Sequence, residues 1–141
     1  MMRKVMIALA AGLMLTLAGC GGGLTGQKNA LLAAQNTYGA AMRWGEFESA
    51  WARVDPEYRD KHPMSELDLE RYGQVQISHY RELDATVLAD GSPARVVEIG
   101  VINKHTQAER TVRYREEWRW DPDKKTWWVR QGLPDLWTGA K

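Results

Sequence analysis

Glu116 is the side chain that most needs a chemical explanation. Along the run Glu109 to Trp120, Val112, Tyr114, Glu116, Trp118 and Trp120 fall on one side, and Thr111, Arg113, Arg115, Glu117 and Arg119 on the other. A carboxylate in the middle of an apolar face is costly unless something pairs with it. Desolvation would raise its pKa and fit it for general acid–base work, with Tyr114 beside it and His79 from an earlier strand as candidate assistants. By strict alternation His79 and Arg81 share the inward face of that earlier strand, which makes a mixed polar pocket. The competing reading is structural: Glu116 pairs with Arg81, or sits at a sheet edge or bulge, and then tolerates replacement by Gln.

Other chemistry is thinly represented. His62, His79 and His105 fall in a loop, a strand and a turn, with no metal-ligand spacing between them, so no metal is expected. Asp121 and Asp123 flank Pro122, as turn residues do. There is no Gly-x-Ser-x-Gly, phosphate loop or dinucleotide fingerprint, and no cofactor is expected. Cys20 is the only cysteine, which leaves no intramolecular disulfide. The formal net charge is +1, so nothing electrostatic draws the chain to nucleic acid. Seven tryptophans stand against one phenylalanine. Trp51, Trp118 and Trp128 fit core positions, whereas Trp44, Trp120, Trp127 and Trp137 are less needed for packing. Arg113, Arg115 and Arg119 share a strand face, and with Trp120 and Trp127 they form a candidate docking surface, because Arg and Trp carry much of the energy in interfaces. The bland alternative is a solvated sheet face.

The elements that must position these groups begin after an unusual leader. Arg3 and Lys4 precede an apolar run, Val5 to Ala18, which ends in Leu17-Ala18-Gly19-Cys20. That run has signal-peptide length and is short for a membrane span. The order Leu-Ala-Gly-Cys resembles the lipobox of bacterial lipoproteins. The resemblance implies a signal peptide over 1–19, cleavage before Cys20, and a diacylglycerol on its thiol. Residues 20–27, with Gly21, Gly22, Gly23 and Gly26, read as a flexible tether, and 28–141 as one domain. Gly21 replaces the aspartate that the lipoprotein pattern associates with inner-membrane retention. The implied address is the periplasmic face of the outer membrane, with the membrane itself as a partner through the anchor.

Helix punctuation fills the first half. Thr25 offers a cap for a helix with Leu31, Ala34, Tyr38, Ala41 and Met42 on its apolar face, ending near Gly45. Phe47, Ala50, Trp51 and Val54 form a second helical turn, and Asp55-Pro56 stops it and opens a short third segment. Ser65 and Asp68 have capping-box spacing before Leu69 and Tyr72. From Gln74 the period falls to two. Strands are predicted from Val75 to Leu88, Ala94 to Ile102, Glu109 to Trp120 and Thr126 to Gln131, with turns at Asp90-Gly91 and Asn103–Thr106.

Helices followed by an antiparallel meander give an α+β fold, with N-terminal helices packed on a curved sheet of about four strands. The order of elements, ending in Trp127-Trp128-Val129, resembles the cone-shaped fold of nuclear transport factor 2 and ketosteroid isomerase. In that family the sheet curls around the first helix and leaves a pocket. The expected function is a protein-interaction or ligand-binding module, with an envelope protein or carboxylate-rich peptidoglycan as partner. The alternatives are a small pocket enzyme built on Glu116, and an accessory subunit of an envelope or secretion assembly.

Overall fold

The computed structural model describes residues 23–138, so Cys20 and the leader lie outside the described residues. Four helices, α1 (Gly23–Arg43), α2 (Phe47–Trp51), α3 (Pro56–Lys61) and α4 (Glu66–Tyr72), precede four strands. The strands are β1 (Val75–Val87), β2 (Pro93–Asn103), β3 (Glu109–Asp121) and β4 (Thr126–Val129), paired antiparallel in the order β1-β2-β3-β4. The α+β class and helix-before-sheet order match the sequence reading. No described helix is long and apolar enough to cross a membrane.

The helix start differs from expectation. α1 begins at Gly23, inside the residues read as tether, and Thr25 lies within the helix. A tertiary contact accounts for the ordering: Trp127 Nε1 donates to the Gln27 carbonyl at 2.9 Å, while Ala30 and Leu31 pack on the core. Such contacts override the poor helix propensity of glycine. The chain leaves α1 through Gly45, whose φ of 73° suits a residue without a side chain.

Local signals set the short helices. The Asp55 side chain accepts from Glu57 N at 3.0 Å, with Pro56 at the first helical position. Ser65 and Asp68 form the reciprocal capping box. Between α2 and α3 the chain pairs with the edge of β4. Asp55 N donates to Val129 O at 2.8 Å and Val129 N to Arg53 O at 3.0 Å. β4 ends at Val129, two residues before the predicted end, where this pairing stops.

The core lies between the helices and one sheet face. Tyr38, Met42, Phe47, Val54, Ile77, Val97, Ile99, Val112, Trp118 and Val129 are buried there. Residues 132–137 cross the end of this layer. Leu136 is fully buried, and Tyr72 Oη donates to Pro134 O at 3.0 Å. β1 carries two register shifts, at Ser78 and at Leu83, that the sequence does not announce, and the first re-aims the site residues. Ile77 pairs with Val101 and His79 with Gly100, so Ser78 has no cross-strand partner. The extra residue reverses the phase of the strand. Tyr80 therefore faces the core with Ile77, and His79 and Arg81 turn outward.

Candidate functional site

β3 delivers Glu116 as its alternation requires, between Tyr114 and Trp118 on the inner face, with 0 % exposure. β2 places Arg95 directly opposite it, on the same face as Val97, Ile99 and Val101. Four donors converge on the carboxylate. Arg95 Nε reaches Oε1 at 2.7 Å and Nη2 reaches Oε2 at 3.0 Å, a bidentate grip. Trp118 Nε1 donates to Oε1 at 3.0 Å, and the Tyr80 hydroxyl donates to Oε2. Arg95 is itself only 8 % exposed, and bonds Glu82 Oε2 at 3.3 Å and the Gln35 carbonyl of α1 at 3.1 Å.

This arrangement limits what Glu116 can do. A carboxylate has about four lone-pair sites, and here each meets a donor. A general base needs an open site within hydrogen-bond reach of the proton it takes. The surrounding phenols stay protonated and are poor bases. Burial pushes the Tyr38, Tyr80 and Tyr114 hydroxyls well above the usual phenol range. Tyr114 Oη donates to Gly132 O at 3.0 Å and so ties the sheet to the C-terminal segment. Tyr38 sits edge-on to Trp118, ring centroids 5.8 Å apart, and fills the space between α1 and the carboxylate.

No family model, curated protein or solved structure matches this chain.

The other sequence-predicted residues scatter. His79 lies on the outer face, its Nε2 3.3 Å from Glu98 Oε1. Arg81 binds that same oxygen at 2.6 Å and holds the Glu98 carboxyl below its usual range. Neither residue reaches Glu116, so the expected Glu116–Arg81 pairing is replaced by Glu116–Arg95; the bulge at Ser78 is the cause. Arg113 and Arg115 are exposed on the outer face, with Arg115 Nε 3.3 Å from Glu117. Arg119 is committed to Asp55 Oδ2 at 2.6 Å, bracing the start of α3. Trp120 and Trp127 pack on each other at 5.3 Å on the inner face, and Trp127 is buried. The predicted docking set thus divides: Arg113 and Arg115 face outward, and the two tryptophans belong to the core.

Arg95 is the residue that sequence reasoning missed. Its signal is its phase with Val97, Ile99 and Val101, which puts it on the apolar face of that strand. Among the described residues no group of His, Cys, Asp or Glu is placed to hold a metal ion.

Proposed function

We propose that this protein is a lipid-anchored domain at the periplasmic face of the outer membrane, and that it works by binding rather than by catalysis. The Leu17-Ala18-Gly19-Cys20 sequence supports the anchor. The observation that carries binding over catalysis is the carboxylate of Glu116, filled by protein donors and shut away from substrate. A protein partner of the envelope, or the carboxylates of peptidoglycan, would meet the outer sheet face at Arg113 and Arg115.

The test expresses wild type, Cys20→Ser and Arg113→Glu/Arg115→Glu in the native envelope. Wild type should incorporate labelled palmitate and fractionate with the outer membrane, and Cys20→Ser should do neither. The double reversal should stay anchored and folded but lose crosslinked partners, and high salt should mimic part of that loss. Equal membrane association of wild type and Cys20→Ser, with no label on either, refutes the anchor. An unchanged set of crosslinked partners in the double reversal refutes the arginine face.

A further inference from the structure

Between the C-terminal end of α1 and the start of β1 lies a cleft of about 260 Å³, whose walls include Arg43, Trp44, Phe47, Val75, Gln76 and Lys104. Its charge is one-sided, because two cations line it and no carboxylate does. Neither cation belongs to an ion pair among the described residues. Backbone carbonyls hold them instead. Arg43 Nη1 donates to Ile77 O at 2.7 Å, and Lys104 Nζ donates to Gly73 O at 2.8 Å. A carbonyl fixes the position of a cation without neutralising it, so both charges stay available and partly pre-organised for an anion. Beside them Trp44 is 72 % exposed, and the Arg43 guanidinium stacks over its ring at 4.8 Å. An exposed indole presents a large rigid apolar plate, the kind of surface that anchors a ring. The Gln76 amide adds both a donor and an acceptor.

A second cleft of about 270 Å³ shares Arg43 and is lined by Gln35, Asn36, Tyr80 and Arg95, again with no carboxylate in its wall. Glu116, with Glu82 beyond it, offsets Arg95, so the unopposed charge of the seam is that of Arg43 and Lys104.

We propose that this cleft binds a carboxylate-bearing sugar, its anion between Arg43 and Lys104 and its ring against Trp44. A sugar ring offers an apolar C–H face and a hydroxyl edge, which match the indole and the Gln76 amide. A carboxylate matches the guanidinium and the ammonium that line this one cleft. The second cleft, joined through Arg43, would take a neighbouring unit of a polymer. The choice of a cell-wall sugar rests on the envelope reading above, yet the binding test uses purified protein and fails separately from membrane fractionation.

The experiment titrates the full chain, purified in mild detergent, by calorimetry and saturation-transfer NMR. The probes are N-acetylmuramic acid, N-acetylglucosamine (a related amino sugar lacking the carboxylate), lactate and inorganic phosphate. N-acetylmuramic acid should bind at least tenfold more tightly than the other three. Trp44→Ala and Lys104→Gln, both at exposed side chains, should melt like wild type and each weaken that binding at least tenfold. The proposal is overturned by the absence of N-acetylmuramic acid binding, by equal binding of N-acetylglucosamine, by tighter binding of phosphate, or by unchanged affinity in both variants.

Discussion

Removing one member of the Arg95–Glu116 pair should be among the most damaging single changes in this protein. Arg95→Ala leaves Glu116 fully buried with its bidentate partner gone, and Glu116→Gln leaves Arg95 buried with the distal Glu82 as its only anion. Breaking a buried pair this way costs about 3–5 kcal/mol, because the surviving charge stays shut away from water without its close counter-ion. For a domain of this size about 1 kcal/mol corresponds to roughly 4 °C, so each single variant should melt about 12–20 °C lower. The expectation that Glu116→Gln is tolerated is therefore reversed, because the partner is a buried guanidinium. The double variant Arg95→Met/Glu116→Met strands no charge. It should lose much less than the sum, leaving only Trp118 Nε1 and the Tyr80 hydroxyl short of an acceptor, at about 1–3 kcal/mol each. Denaturant melts of wild type, Arg95→Met, Glu116→Met and the double variant close the cycle and give the coupling energy, expected to be at least about 2 kcal/mol. Additivity within about 0.5 kcal/mol would refute the account, since independent sites behave so.

Gly100→Ala should destabilise by about 1–3 kcal/mol, as overpacking does, because the new Cβ would stand 2.1 Å from Ser78 Oγ and 2.4 Å from His79 Nδ1; chemical-shift changes at Tyr80 in NMR spectra would show whether the bulge has been lost with it. Trp118→Ala should cost about 3–5 kcal/mol and Arg115→Ala no more than about 0.5 kcal/mol, and urea melts giving the opposite order would mean that β3 is inside out. Alkali should unfold the protein through its phenols. Burial raises Tyr72 to about 12 and Tyr38, Tyr80 and Tyr114 further, so the folded state holds protons that the unfolded chain releases near pH 10. The stability these groups contribute is complete below pH 10 and falls as pH rises toward 12. Tyrosinate absorbance that follows the loss of circular dichroism would show this, and ionisation of these four well before unfolding would contradict it.

What could be read from the sequence was local. The capping box at Ser65 and Asp68, the Asp55-Pro56 start of α3 and the inward row of β3 each depend on residues within a few positions of one another, and each formed as read. The candidate site depended on register, which is not local. Ser78 fits either face of a strand, so nothing in β1 announces the extra residue; its trace is Gly100 on the neighbouring strand β2, a glycine that makes room for it. One unseen bulge sent His79 and Arg81 outward and Tyr80 inward. Trp120 and Trp127 look dispensable for packing in the sequence, and only the closure of β3 and β4 on α1, where the Trp127 indole bonds the Gln27 carbonyl, gives them a burial partner.

The cluster around Glu116 also bears on how the chain reaches its fold. Its members come from α1, β1, β2 and β3, and the contacts to Gln35, Tyr80 and Glu116 close over 60, 36 and 21 residues. The β2–β3 hairpin alone can bring Arg95 to Glu116, but it leaves the pair wet and Tyr80 and Gln35 elsewhere. Drying that pair before the other partners arrive is penalised, so half-assembled states gain little and the transition becomes all-or-none. The entropy of closing the longer loops must be spent before the reward, which places folding in the slower range of small mixed α/β domains. On the envelope reading that delay has a use. A polypeptide that crosses a membrane as an open chain is kept open longest when its final lock needs segments that emerge far apart.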